Sequence, residues 1–530
     1  MQRSGAGLTS TPQAWRIGLA LLVASMFVLG AAWSLMTAPF TTVDESRHFN
    51  SIVRLWEGGG WPAPREAPML DAVRLAAVEA GHPLDGDAAL PAPVPAGERS
   101  ALNSVSGAER GVAGDPDWMT QHPPGYYGLT ATILGGLGAH GWSWDHALLG
   151  ARLLGDLWVA LAAVPIAVAA RRMTGRPRSA LIATAALLAV PQYFHIGGLV
   201  SNDSLSVLIA ATVLCLCVVS MDSPRPGWRL PLATGVALGA GLATKGLFLA
   251  LIPVVLIAVV IPAWRAFGAR WRVIVAPAIA MLTAFVIGGW WYVRNLLVFG
   301  ALQPSNFGSG RNEVAVEGYD LGHFIVRWAV TMNHTFWGSL RGSLDLPAWF
   351  DLIAVTAAAV TLVVGLVAAS HRVRILILGI YPAALTAITL HHAWEIYWNT
   401  GAFRGIQGRY LYPACAVFII IAAFAWVAVT RRLSWGVTRL LTGLGVIAFA
   451  VVGAAGWVFA MRRLWAESEG LTGSLADMGD ALGVAGPVAL ATPFAYVAAV
   501  AALAAWVTHP RLEGHDPAGA GEPRTVPVRE

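Results

Sequence analysis

Apolar runs of roughly 18–22 residues recur along this chain of 530 residues, broken by short polar stretches. As a helix, a run of that length crosses a hydrocarbon core about 30 Å thick. Twelve such spans are predicted, at roughly 16–36, 148–170, 178–196, 203–221, 230–244, 246–264, 272–291, 348–370, 372–390, 410–430, 438–460 and 487–507. The short alternating segments of a membrane β-barrel are not visible. The expected fold class is all-α, a polytopic transmembrane helical bundle of about twelve spans. The first run, Ile17–Met36, is too long for a signal-peptide core and has no small-residue cleavage site after it, so it reads as a retained helix.

Between the runs, charge predicts orientation. The stretches 171–178, 223–229, 265–272, 371–374 and 430–439 are short and carry arginine, the mark of cytoplasmic loops. Both termini are then expected in the cytoplasm. The other face receives a long, partly helical first loop (37–145), a second loop (292–347) and shorter ones at 391–409 and 461–486. Within the first loop, the Pro/Ala/Gly stretch 81–100 reads as mobile. The segments 48–59 and 68–81 beside it have the apolar spacing of helices lying on the membrane interface. Residues 1–510 read as one membrane module and 511–530 as a polar, disordered cytoplasmic tail.

Composition agrees. The chain is 56% hydrophobic and 12% charged, with a mean hydropathy of +0.61, too apolar for a soluble protein of this size. Cys215, Cys217 and Cys415 all lie inside apolar runs, so no disulfide framework is expected. The basic pI near 9.3 comes from scattered arginines, many at helix ends, and does not point to nucleic acid. Lys245 is the only lysine. With abundant Ala and Gly, that usage fits a GC-rich bacterial genome, and so a multi-pass protein of the bacterial inner membrane.

The polar residues that interrupt the apolar pattern at the extracytoplasmic helix ends are the candidate chemistry. Asp44 and Glu45, in VDESRHF, follow the first helix; they read either as an interfacial charge cluster with Asp44 capping the next helix or as a carboxylate held for general-base or metal chemistry. Arg47 and His48 beside them could pair, cap or pack. His122 and Tyr126 lie in QHPPGYY, where two prolines force an extended return to the membrane. Asn202 and Asp203 in SNDSL are an N-cap or a site pair. Lys245 either snorkels or holds a phosphate as a point charge. Arg294 in WWYVRN sits within an apolar stretch, and Arg409 and Tyr410 in QGRYLYPA precede the tenth span. Acids near one helix end and cations at several others suit a site that takes a phosphate-linked sugar from the membrane, with cations on the leaving phosphate and a carboxylate activating an acceptor hydroxyl.

These phrases, over about 38–425, resemble an uncharacterised bacterial family of GT-C-like integral membrane proteins. The acidic pair directly after the first helix resembles the hallmark of the GT-C superfamily, polytopic glycosyltransferases that use lipid-phosphate-linked sugars. The resemblance implies inverting transfer of a monosaccharide from a polyprenyl-phosphate donor to an envelope glycan, lipid or protein. It implies Asp44 as the catalytic carboxylate, Glu45 as a second acid or metal ligand, and Lys245, Arg294 and Arg409 as lipid-phosphate contacts. His48, His122, Tyr126, Asn202, Asp203 and Tyr410 complete the expected substrate-binding set. The chain shows no large C-terminal soluble domain, which argues against transfer of bulky oligosaccharides. No metal-ligand spacing is visible, and a divalent cation, Mg or Mn, stays open as cofactor. Two other classes compete. A transporter or flippase of lipid-linked sugars should show a deep polar passage. A non-catalytic envelope scaffold should bury Asp44 against protein.

Overall fold

The computed structural model describes residues 12–513 except 43, 65, 83–91, 105–115, 224–226, 267–269, 305–319, 340–344 and 466–469. The tail expected at 511–530 thus lies almost wholly outside the described residues, as does part of the stretch 81–100.

In chain order the helices are α1 (Pro12–Met36), α2 (Glu45–Trp56), α3 (Asp71–Glu79), α4 (Gly125–Gly136), α5 (Trp144–Leu161), α6 (Ala163–Thr174), α7 (Pro177–Ala185), α8 (Pro191–Gly197), α9 (Asn202–Asp222) and α10 (Arg229–Leu242). Then follow α11 (Ile252–Ala266), α12 (Arg270–Ala284), α13 (Trp290–Phe299), α14 (Leu321–Trp337), α15 (Ala348–Ala368), α16 (Arg372–Thr400), α17 (Cys415–Thr430), α18 (Trp435–Leu464), α19 (Gly470–Ala481) and α20 (Gly486–Val507). Only two isolated bridges and no strand occur among the described residues. The all-α fold class holds.

Ten helical segments among the described residues are long and apolar enough to cross a membrane, or eleven if the bent pair α7–α8 counts as one. The expected twelve are reduced at two places. The third bends by 78° between Ala189 and Pro191, where the proline cannot donate to the helix ladder. The fifth, α10, has 14 residues, about 21 Å of helix, too short to span alone. α16 and α18 overshoot at 29 and 30 residues. The far end of α16 carries a small second core with α14, built on Phe324, Met332, Ala393, Tyr397 and Ile406.

α2 and α3 form as the sequence suggests but do not lie on a surface. Phe49, Ile52, Val53 and Val73 are buried in the main core, and α2 packs on α4. The first loop is therefore folded onto the helix ends as a cap. Two close approaches fix that cap. Gly125, the first residue of α4, donates its N–H to the Ala243 carbonyl just past α10 (2.8 Å), and a Cβ there would strike that carbonyl. Gly288, in a π turn between α12 and α13, leaves room for the α10 backbone in the same way.

Candidate functional site

The site begins where α1 stops. Pro39 ends the helix, because the residue before a proline avoids the helical region. The chain then turns sharply into α2. Phe40 (φ 60°) and Asp44 (φ 65°) occupy the left-handed region and are the only non-glycine residues there among those described. Each such residue costs of order 1–3 kcal/mol and persists only where surrounding contacts over-determine it.

Those contacts come from Glu45 and Arg152. The Glu45 carboxylate accepts from Arg152 Nε (2.7 Å) and Nη2 (2.6 Å), from the Phe40 N–H (3.3 Å) and from the Val200 N–H (3.2 Å). Arg152 Nη1 also donates to the carbonyls of Ser34 (2.9 Å) and Thr37 (2.6 Å) at the end of α1. Both side chains are fully buried. The expectation that Glu45 is a second catalytic acid or metal ligand is therefore corrected: both its oxygens are committed, and it fixes the turn.

Asp44 is different. It stands before α2, yet its side chain makes no capping bond. It is half-buried, and Trp118 Nε1 donates to its Oδ1 (3.2 Å). Arg47 lies 3.4 Å over the Trp118 ring. Trp118 is held in turn through Asp117, whose Oδ2 accepts from Asn50 (2.8 Å) and Ser51 (2.7 Å) of α2 and whose Oδ1 accepts from the Met119 N–H (2.9 Å). Burial raises the Asp117 carboxyl above its ordinary range, against the pull of these bonds.

Across from Asp44 lies a cation pair. Asp203 Oδ1 makes an ion pair with Lys245, and Asp203 Oδ2 lies 3.6 Å from Arg409 Nε. The alternative reading of Asn202 and Asp203 as helix caps fails, because the cap of α9 is Ser201, which accepts from the Asp203 N–H (3.2 Å). Asp203 instead holds two cations side by side, leaving one positive charge over. Asp44 is within electrostatic reach of both. Lys245 lies 5.4 Å from the Tyr410 ring. Burial pulls the Lys245 ammonium below its ordinary value, with Asp203 opposing.

The walls are aromatic. His48 Nδ1 pairs with the Tyr127 hydroxyl (2.9 Å) and stacks on that ring (5.7 Å, 14°), while Tyr126 stands edge-on to Tyr127 (5.1 Å, 78°). Burial holds His48 well below the ordinary imidazole value, helped by His122, Lys245 and Arg409. Burial, then Lys245, brings His122 down to about 3. Both rings are neutral at physiological pH and act as hydrogen-bonding groups. His122 Nδ1, Asn202 Nδ2 and Arg409 Nε are buried without a hydrogen-bond partner among the described residues, which leaves hydrogen-bonding capacity beside the cation pair for a ligand.

Asp44, His48, His122, Tyr126, Asn202, Asp203, Lys245, Arg409 and Tyr410 thus come together. Arg294 does not join them. It donates to Asn295 Oδ1 (3.0 Å) and stacks near Trp291 and Phe299 on a helix whose Leu296, Leu297 and Val298 are exposed. The expectation that Arg294 joins Lys245 and Arg409 is therefore corrected: its contacts are with its own helix, whose neighbouring residues are exposed. Reading the sequence alone missed Arg152, Asp117, Trp118 and Tyr127. For Arg152 a signal existed: an arginine inside an apolar span seeks a buried anion. No group of three or more His, Cys, Asp or Glu able to hold a metal occurs among the described residues.

An apolar cavity of about 1100 Å³ runs along α17 between α7, α14, α15 and α18. Its lining starts at Leu411, two residues from Arg409, and reaches Val429, about 27 Å further along the helix. Phe336, Cys415, Trp426 and Phe459 are among its walls.

The profile of a family described as predicted membrane proteins, DUF2142, matches residues 27–417. The chain belongs to the DUF2142 family. The DUF2142 match covers every residue of the cluster and ends inside α17. It bears out, at that level, the resemblance to an uncharacterised family of integral membrane proteins, and with the apolar helices it shows a multi-pass membrane protein. No curated protein sequence matches the chain. Among solved structures, ArnT from Cupriavidus metallidurans bound to undecaprenyl phosphate aligns at 15% identity over 94% of this chain and 78% of its own, with a TM-score of 0.47. The Archaeoglobus fulgidus oligosaccharyltransferase in complex with Zn and sulfate aligns at 14% identity over 64% of this chain and 44% of its own, with a TM-score of 0.36.

Proposed function

We propose that this DUF2142 protein is a GT-C-type glycosyltransferase that moves a monosaccharide from a polyprenyl-phosphate donor to a hydroxyl of a cell-envelope acceptor. One observation carries the reading: Lys245 and Arg409 are held together by Asp203 within electrostatic reach of Asp44, and Arg409 lies two residues in sequence from Leu411, where the lining of an apolar cavity of about 1100 Å³ begins. A polyprenyl tail is apolar and long, and its phosphate is anionic. The cavity suits the first and the cation pair the second.

In this reading the acceptor oxygen attacks the anomeric carbon from the side opposite the phosphate. Asp44 takes the hydroxyl proton as the new C–O bond forms. The bond between the anomeric carbon and the phosphate oxygen breaks, and its electron pair leaves with the polyprenyl phosphate. Lys245 and Arg409 stabilise that charge as it develops. His48 and Tyr127, neutral and hydrogen-bonded to each other, orient the sugar. The cations take the electrostatic role a divalent ion would otherwise fill. The active site faces away from the Arg-bearing loops, on the extracytoplasmic side of the inner membrane.

The apolar lining of the cavity disfavours a hydrophilic passage for a sugar, and the half-buried Asp44 disfavours a purely structural scaffold. Binding of a polyprenyl phosphate to the purified protein tests the reading. Saturable binding that weakens at least about tenfold in Lys245→Met and Arg409→Gln is expected, since each removes a charge-assisted contact of about 1.5–3 kcal/mol. Binding unaffected by both substitutions contradicts it.

A further inference from the structure

A second cavity lies at the other end of the bundle. It occupies about 380 Å³ where the end of α9, the end of α11 and the start of α16 meet. α9 runs from Asn202 in the candidate site to Asp222 beside this cavity, so the two sites are about 30 Å apart along that helix.

Its lining brings arginines together with apolar side chains: Arg265, Arg372 and Arg374 line it with Met221 and Ile261, and His371 is among them. None of the lining residues is acidic. Arg374 is paired with Asp222. Arg265 and Arg372 are exposed and have no ion pair among the described residues. Guanidinium groups gathered around one cavity repel each other unless an anion joins them. The α16 N-terminus, which has no side-chain cap, adds its first-turn N–H groups to the same rim. Beside it, the apolar Val373 and Leu376 are 65% and 71% exposed. The cavity therefore combines cations, backbone donors and neighbouring exposed apolar side chains.

We propose that this cavity binds the phosphate group of an anionic phospholipid in the leaflet opposite Asp44. The guanidiniums take the phosphodiester, and the apolar wall takes the start of the acyl chains. The volume exceeds what a free phosphate fills, and the apolar wall has no use for one. The inference is independent of the transferase reading.

Native mass spectrometry of the detergent-purified protein tests it. Phosphatidylglycerol is expected to stay bound under conditions that strip phosphatidylcholine. Millimolar inorganic phosphate or ATP is expected to leave it in place. The double variant R265Q/R372Q is expected to lower phosphatidylglycerol occupancy at least about tenfold, and R432Q, on the α17–α18 turn at the same end, to leave it unchanged. If the double variant does not purify as one species, R265Q and R372Q alone are each expected to lower occupancy about threefold. Equal retention of phosphatidylcholine, or unchanged occupancy in the Arg265 and Arg372 variants, overturns the site. Displacement by free phosphate or ATP at the lipid's own concentration overturns the lipid as its source.

Discussion

Arg152 grips Glu45 with two hydrogen bonds of 2.7 and 2.6 Å, and with its other N–H groups it holds the carbonyls at the end of α1. One buried guanidinium thereby sets the turn that presents Asp44. Removing it leaves a buried carboxylate unpaired and two carbonyls without donors, a loss of about 3–5 kcal/mol. Arg152→Ala is expected to lower the apparent melting temperature in detergent sharply. The double variant R152M/E45M is expected to recover much of that stability but not activity, because the turn loses its anchor. Recovery of full activity in the double variant would place Asp44 outside the chemistry.

Asp203 binds two cations, and a lipid phosphate would compete to balance the same charge. Asp203→Asn leaves Lys245 and Arg409 facing each other in a buried site. Its melting temperature without ligand is expected to fall below wild type. The upward shift on adding polyprenyl phosphate is expected to exceed that of wild type, since the ligand binds the folded state more strongly. An equal or smaller shift contradicts the assignment of the phosphate to this pair.

His334, at the end of α14, bonds to Asp351 (2.5 Å) and lies 3.2 Å from Asp345, beside the cavity walls at Asn333 and Trp337. Burial lowers its pKa, but the hydrogen bonds to Asp351 and Asp345 outweigh burial and raise it above the ordinary 6.5. A raised folded value means the proton stabilises the fold. That contribution is complete below about pH 6.5 and disappears as pH rises through the raised value. The melting temperature of wild type is therefore expected to decline over that window, and His334→Gln to flatten the decline. An identical pH profile in the variant counts against this role of His334.

The cavity along α17 makes a prediction about chain length. Ala422 lines it partway between Leu411 and Val429. Ala422→Trp is expected to cost about 1–3 kcal/mol of stability through overpacking. It is also expected to weaken long-chain polyprenyl phosphates while sparing short-chain ones. Equal loss for both lengths would put the tail elsewhere.

Much of this architecture was legible in the chain because apolar run length reports membrane spans directly. The exceptions are local. The bend at Pro191 and the shortness of α10 depend on how the chain packs once inside, and the running hydropathy does not register either. Asp44, Asp203, Lys245 and Arg409 stood out because charge at apolar helix ends is costly, and the fold does gather them. Arg294 carried the same signal and went elsewhere, since hydropathy gives a residue's depth and not the face it presents. Glu45 was misassigned for a related reason. Two adjacent acids look alike in a sequence, and only the partner on α5, 107 residues away, separates the anchor from the half-buried carboxylate. Trp118 and Asp117 are ordinary loop residues until the first loop folds down onto α2.

The central claim is that Asp44 takes the acceptor proton. Its most direct measurement is the envelope sugar composition of the native host carrying Asp44→Asn in place of wild type, at matched protein levels and melting temperature. The account predicts loss of one monosaccharide from an envelope glycan, lipid or protein, with polyprenyl-phosphate binding retained. An unchanged envelope from a folded, normally expressed Asp44→Asn protein would contradict it.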